Sequence, residues 1–230
     1  MSGQGDEFIA PRCEGIVRIL YQDAHLLVID KPSGLLSLSG KNLQNWDSVH
    51  YRLVHGQAGA TPAFKDAKLP HRLDFGTSGI MLVALNAHAA KQLNKQFQAG
   101  SITKRYLAIL NGHVSQEKGD INAPIAKDPL LFPRVKISQQ EGKTSISDYQ
   151  VLARLNKPKR TLVQYSPRTG RTHQLRIHSL HFGHPILGCD LYGNAQSLQL
   201  APRLMLHASD IYFTHPETGQ AFHGHSPSPF

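Results

Sequence analysis

Short β-rich runs closed by turn residues recur along this chain and outnumber its helical stretches, and this pattern limits the fold more than any other feature. Ile16 to Leu20 and His25 to Ile29 are two such runs, separated by Tyr21-Gln22-Asp23-Ala24, and Lys31-Pro32-Ser33-Gly34 breaks the second. Ile80 to Leu85 has the continuous apolar character of a buried strand. Further strands are expected at Arg105 to Leu110, Tyr149 to Leu155 and Thr161 to Tyr165. A last hairpin pairs about Asp210 to Thr214 with Gln220 to His223 across Pro216-Glu217-Thr218-Gly219.

Helices are fewer. Asp47 or Ser48 caps a short one with Val49 and Leu53 on one face. Ala89, Leu93 and Phe97 recur at i, i+4 and i+8 while Lys91, Lys95 and Gln98 lie on other faces, and Gly100 ends this amphipathic helix. A third is expected from Thr172 to Phe182, with Leu175 and Leu180 on its buried side and Gly183 and Pro185 closing it. His55 to Pro70 reads as a loop. The balance predicts an α+β fold, a mainly antiparallel mixed central sheet flanked by helices. It argues against a doubly wound nucleotide fold, and no GxGxxG or P-loop sequence is present.

No repeat, low-complexity tract or long Pro/Gly-rich linker interrupts the 230 residues, so one continuous catalytic body over 16–230 is expected after a 1–15 extension. Twenty-five Lys plus Arg against 16 Asp plus Glu give a net charge of +9. That excess points to a polyanionic partner, nucleic acid before an anionic membrane. No apolar run approaches the roughly 18 residues of a spanning helix. The polar, acidic start from Met1 to Pro11 is unlike a signal peptide. Cys13 and Cys189 make neither a disulfide framework nor a zinc set, which favours a reducing, cytoplasmic compartment.

The chemistry-bearing residues concentrate in two places. His71-Arg72-Leu73-Asp74 precedes Thr77-Ser78-Gly79, so a carboxylate stands beside an arginine in a loop that feeds a buried strand. Arg168-Thr169-Gly170-Arg171-Thr172-His173-Gln174-Leu175-Arg176 is the second. There Gly170 permits a sharp turn and places Arg171 at a helix N-terminus, where a cation needs an anionic partner such as Asp74 or an RNA phosphate. Lys104-Arg105-Tyr106 sets a phenol between basic residues at a strand start, placed to pack or to stack on a base. Asn156-Lys157-Pro158-Lys159-Arg160 is a basic hairpin turn whose charge suits phosphate contacts. His178, His181 and His184 do not make a convincing metal set, because Gly183 and Pro185 break the helix and no carboxylate is spaced as a partner. A zinc deaminase signature is also missing.

Taken together, Lys31-Pro32-Ser33-Gly34, the Asp74 motif, Lys104-Arg105-Tyr106, Gly170 to Arg176 and His184-Pro185-Ile186-Leu187-Gly188 resemble the RluA family of RNA pseudouridine synthases, in order and spacing. The resemblance runs from about Ile16 to the C-terminus, and the short stretch before it matches the subgroup without an S4 domain. It implies a catalytic domain with a cleft across the sheet, and an isomerase that breaks a uridine N1 to C1′ bond, turns the base and joins C5 to C1′. Substrate and product are isomers, so no cofactor and no metal are expected.

By the same carry-over Asp74 attacks C1′ or removes the 2′ proton, Arg171 pairs with Asp74, and Tyr106 packs on the base. Leu175 walls the pocket. Arg72 enters the space that a flipped uridine leaves in the RNA stack. Lys104, Arg176, Lys157, Lys159 and Arg160 are expected to bind RNA. The expected partner is structured RNA, a tRNA anticodon stem-loop, large-subunit ribosomal RNA or both, with the protein a monomer. A non-catalytic RNA-binding module would not need Asp74, Tyr106 and Arg171 together, and an RNA hydrolase would want a second acid or base beside Asp74.

Overall fold

The computed structural model describes residues 8–57 and 61–230. Residues 1–7 of the expected N-terminal extension and 58–60 of the expected loop lie outside them. The described chain runs β1 (Arg18–Gln22), β2 (Leu26–Lys31), α1 (Val49–His55), β3 (Ser78–Ala84), α2 (Ala87–Ala99), β4 (Thr103–Asn111), β5 (Lys118–Asn122), β6 (Ile125–Lys127) and β7 (Val135–Ile137). It continues through β8 (Ile146–Asn156), β9 (Lys159–Pro167), α3 (Gln174–His181), α4 (Ala195–Gln199), β10 (Leu206–Thr214) and β11 (Ala221–His225). The chain is α+β with mostly antiparallel strand pairing, as the run of hairpin signals predicts. It divides into two compact units, one reaching to Lys104 and taking in Ala208–Pro229, the other comprising Arg105–His207 with Phe230.

In the first unit the strand order is β1-β2-β3-β10, with β11 on β10. β2 and β3 are buried along their whole length, which explains why Ile80 to Leu85 reads as a solid apolar run rather than an alternating one. Their register sets Lys31 opposite Gly79 and Asp30 opposite Ile80. Two helices dress this sheet, and both start on side-chain caps: Ser48 Oγ accepts from Tyr51 N at 3.1 Å and Asn86 Oδ1 from Ala89 N at 2.8 Å. Gly100 closes α2 in the left-handed conformation, φ 69°. Ala89 and Leu93 are fully buried, and Leu93 alone is worth about 1.5–3 kcal/mol in apolar burial.

In the second unit β4, β9, β8 and β5 form an antiparallel series, and β6 pairs with β7 apart from it. Ala108, Leu110, Val163, Tyr165, Ile177 and Ile186 lie in its core. The sequence reading passes over β5 to β7 and α4. β5 is Lys-Gly-Asp-Ile-Asn with only Ile121 buried, so its strand character comes from pairing with β8 and not from its own pattern. α3 also departs from expectation. It begins at Gln174, two residues late, and is buried without a break from Gln174 to Ser179, while Leu180 is 40% exposed. An enclosed helix shows no single apolar stripe, and Phe182, 4.9 Å from the Tyr149 ring, supplies the contact expected of Leu180.

Candidate active site

Asp74 sits on a turn whose backbone is held from below by the segment after β2. Lys31 is fully buried, and its ammonium donates to the carbonyls of Pro32 (2.9 Å), Leu35 (2.7 Å) and Phe75 (3.1 Å). Gly34 N donates to the same Phe75 carbonyl at 2.9 Å. Ser33 Oγ donates to Gly76 O, and Ser37 Oγ donates to Leu73 O, each at 2.7 Å. Leu73 N returns a bond to Ser37 Oγ at 3.1 Å. Residues 73, 75 and 76 are thus each pinned by a side chain or backbone group from 31–37, and Thr77 N closes the turn onto Asp74 O at 3.1 Å. The result is a half-buried carboxylate on an immobilised backbone beside an exposed Arg72. Such preorganisation is what a group that must meet a reacting atom requires.

Gly79 is the one residue type that fits where this turn becomes β3. Its φ is 114°, and a Cβ there would lie 2.2 Å from the carbonyl oxygen of Ala208 on β10. His71 anchors the other end. Leu82 N donates to His71 Nε2 at 2.9 Å, so that nitrogen is an acceptor and the ring is neutral. Burial, reinforced by the Lys104 ammonium, pushes His71 down to about 3. Its ring lies 4.8 Å from Phe97, and the Lys104 ammonium stands 6.0 Å from the Phe97 ring centroid. Burial also pushes Lys104 below its usual range. Lys104 is therefore a half-enclosed packing group of the first unit as well as a cation.

In the second unit Tyr106, half-buried on β4, stands opposite Tyr165 of β9 and packs against the core. The Gly170 to Arg176 segment is organised by Gln174. Its Oε1 accepts from Thr169 Oγ1 (2.8 Å) and Arg171 N (3.0 Å), and its Nε2 donates to Ile146 O (3.0 Å) and Ser147 Oγ (2.9 Å). The left-handed residue is His173, φ 54°, and not Gly170. That conformation costs about 1–2 kcal/mol outside glycine, offset by the bond of His173 Nδ1 to Tyr192 Oη at 2.9 Å.

Since α3 starts at Gln174, Arg171 lies outside the helix, exposed, with Nε donating to Thr144 O at 3.3 Å. The helix dipole therefore places no demand on it for an anionic partner. Arg176 has the opposite character. It is 3% exposed, its guanidinium donates to Asp190 and to Cys189 Sγ, and it lies 5.4 Å from the Tyr192 ring centroid. The sequence analysis expects Arg176 to bind RNA, and its enclosure corrects that expectation. Only packing reveals that it is enclosed.

The remaining expected residues scatter by role. Leu175 is core, 6% exposed. Lys157 and Lys159 are exposed where β8 turns into β9. Arg160 is half-buried, and its Nε has no hydrogen-bond partner among the described residues. His178 is buried between Ser147 Oγ and Ala123 O, 3.0 Å from each. Burial holds it below the usual histidine range, and His181 adds to this, although the bond to Ala123 opposes it. His184 Nδ1 faces Asn111 O at 2.9 Å. Lys31 and Gln174 stand inside motifs that the sequence shows, but their positioning role does not appear there, and Ser37 carries no local pattern that announces such work.

An α+β scaffold with a rigidly held aspartate, in a chain of net charge +9, fits an enzyme acting on a polyanion, and comparison with known proteins gives the class. The family model described as RNA pseudouridylate synthase matches residues 25–181. The dual-specificity RNA pseudouridine synthase RluA of Yersinia pestis is 42% identical over 205 residues, 89% of this chain and 96% of that one. Its namesake in Escherichia coli K12 is 37% identical over 226 residues, 98% and 100% of the two chains. The solved structure of human RNA pseudouridylate synthase domain containing 1 superposes with a TM-score of 0.73 at 29% identity, covering 96% of this chain and 86% of that one. The chain belongs to the RNA pseudouridylate synthase family, in its RluA branch, and is an isomerase that forms pseudouridine from uridine in RNA.

Proposed function

We propose that the chain acts on both a tRNA anticodon stem-loop and large-subunit ribosomal RNA, as a monomeric cytoplasmic enzyme in which residues 16–230 work as one catalytic domain. Near full-length similarity to relatives named as dual-specificity enzymes supports the pair of substrates. No helix among the described residues is long and apolar enough to cross a membrane. The observation that carries the mechanism is the pinned turn: Asp74 half-buried on a backbone held by Lys31, Ser33 and Ser37, with Arg72 exposed two residues away.

A uridine in a helix must leave the stack to be reached, at a cost of a few kcal/mol that is smaller in a loop. Arg72, free of the core, fills the space it leaves. Asp74 attacks C1′, or removes the 2′ proton, and the N1 to C1′ bond breaks. The uracil turns while Tyr106 packs against it. C5 then joins C1′ as the Asp74 carboxylate leaves it, or as the glycal takes its proton back at C2′; the C5 proton departs, with the Tyr106 hydroxyl as a candidate carrier, and N1 takes up a proton. Atoms and electrons balance without an external reagent because the product is an isomer.

An arginine from the 168–176 segment keeps the carboxylate anionic. Arg171 is the assignment that the resemblance carries over, and the burial of Arg176 supports that residue for the same role, since a guanidinium excluded from water orients an anion more strongly than a solvated one. Lys157, Lys159 and Arg160 at the β8–β9 turn suit phosphate contacts. Lys104 suits them less, being half-enclosed.

The test is to incubate the protein, without added metal or cofactor, with unmodified tRNA and a large-subunit rRNA fragment and map pseudouridine by carbodiimide-dependent reverse-transcription stops. Stops on both RNAs, absent with Asp74→Ala, are the expected result. Stops on one RNA only would limit the enzyme to that substrate. None on either despite binding would leave an RNA-binding module.

A further inference from the structure

The β10–β11 hairpin carries a cluster that the uridine chemistry does not use. β11 contributes His223 and His225, and β10 contributes Asp210; register sets His225 opposite Asp210 and His223 opposite Tyr212. Alternation along β11 sends Gly224 inward, where a Cβ would meet Ile80 at 2.7 Å, so both imidazoles stand on the outer face. Asp210 Oδ1 lies 2.8 Å from His223 Nε2 and 3.0 Å from His225 Nδ1. One donor atom from each of the three residues falls within 4.8 Å of the others, the one such grouping of three among the described residues.

We propose that Asp210, His223 and His225 form a binding site for a divalent transition metal ion, with Zn²⁺ the ion it fits. Two imidazoles and a carboxylate are a borderline-soft set suited to zinc, nickel or copper and poorly suited to calcium or magnesium. The two N to O separations, 2.8 and 3.0 Å, are hydrogen-bond lengths, and ligands about 2.0–2.1 Å from a tetrahedral ion stand roughly 3.3–3.4 Å apart, so the side chains need open by only about half an ångström to admit it. Each ring now directs one nitrogen at the carboxylate; the ion takes the place of the protons shared there, and each imidazole keeps its remaining proton on the other nitrogen.

The cluster is also held in place by its surroundings. Ser209 Oγ donates to Asp210 Oδ2 at 2.7 Å, fixing the carboxylate from behind. The His223 ring stacks on Tyr212 at 4.2 Å with an interplanar angle of 2°. Ser226 ties the end of β11 through its N–H to Ser209 O at 2.8 Å and its Oγ to Asp30 Oδ1 at 3.0 Å. Three protein ligands leave the remaining coordination positions to water. Bound there, the ion cross-links β10 and β11 and adds stability by mass action.

The experiment titrates ZnCl2 by isothermal calorimetry into the full chain, first stripped with EDTA, alongside Asp210→Asn and the double variant His223→Ala/His225→Ala. His223 and His225 are exposed and Asp210 is half-buried, and near-ultraviolet circular dichroism checks that each variant is folded. The wild type is expected to bind one equivalent that the double variant lacks. Asp210→Asn is expected to weaken that equivalent by at least about tenfold, the lower end of what losing even an outer-shell partner costs. Copper(II) paramagnetic resonance of the wild type should show two coordinated imidazole nitrogens. Equal zinc stoichiometry and affinity in the wild type and the double variant would overturn the site, as would a copper spectrum that the double substitution leaves unchanged.

Discussion

The turn that carries Asp74 and the segment from Gly170 to Arg176 both lead into a buried element, the second running into the start of α3, yet they are held in different ways. The Asp74 turn is fixed largely through its backbone: Leu73, Phe75 and Gly76 each offer a carbonyl to Lys31, Gly34, Ser33 or Ser37. The second segment is fixed through side chains, with Gln174 making four bonds and His173 held left-handed against Tyr192. Backbone anchoring fixes where the aspartate stands through the carbonyls of its neighbours. Side-chain anchoring consumes the polar groups that sequence would nominate as functional, and it buries one arginine while exposing another.

Asp74→Asn should break the comparison most sharply. It keeps shape and removes the charge, so pseudouridine formation on a tRNA stem-loop should fall by about 10²–10⁴-fold in a protein that still folds; residual turnover near the wild type would take Asp74 out of the mechanism. Lys31→Met should show the reverse balance. It takes the ammonium away from the carbonyls of Pro32 and Leu35, while Phe75 O keeps Gly34 N; at about 1–3 kcal/mol for each carbonyl left unpaired, urea should unfold the variant earlier by about 2 kcal/mol or more and activity should be lost with the turn. A stable Lys31→Met protein would mean that the 31–37 cradle does not hold the turn.

The paired arginines sharpen the second half. Arg176→Met should cost about 1–3 kcal/mol, the price of one buried charge-assisted bond, together with activity, whereas Arg171→Ala should stay within about 0.5 kcal/mol of the wild type in stability. Whichever variant loses turnover while still binding RNA identifies the working arginine. The last comparison is the acid response of His71. Its folded value, about 3, lies below the unfolded 6.5, so below pH 6.5 the unfolded chain takes up a proton that the folded chain refuses. Stability is fully present above pH 6.5 and is lost as pH falls toward 3, at up to about 1.4 kcal/mol per pH unit. His71→Gln keeps an acceptor for Leu82 N, and urea midpoints at pH 7 and pH 5 should differ less for it than for the wild type. His178 adds to the wild-type slope with the same sign, so only the difference between the two proteins reports on His71. Equal slopes would assign the acid response to other groups.

Legibility followed the range of the forces involved. Ser48, Asn86 and Gly100 act within three or four residues, and α1 and α2 fall where their caps and apolar spacing put them. The apolar run of β3 identifies it as buried because nothing but a two-sided core absorbs such a stretch. β5, by contrast, has no pattern of its own and becomes a strand only through β8. Leu180 has the spacing of a core residue and emerges into solvent because the whole first turn of α3 is enclosed instead of one stripe.

The sequence by itself determined the α+β class, the turn bearing Asp74, the neighbouring Arg72 and the basic surface, since periodicity, turn chemistry and charge are written in local order and composition. Only the tertiary structure decided that Lys31 is a buried clamp, that Gln174 rather than Gly170 organises its segment, that Arg176 is enclosed while Arg171 is not, and that Asp210 meets His223 and His225 across a hairpin. Burial and cross-strand register arise from residues far apart in the chain, and a side chain's local neighbours carry no record of them.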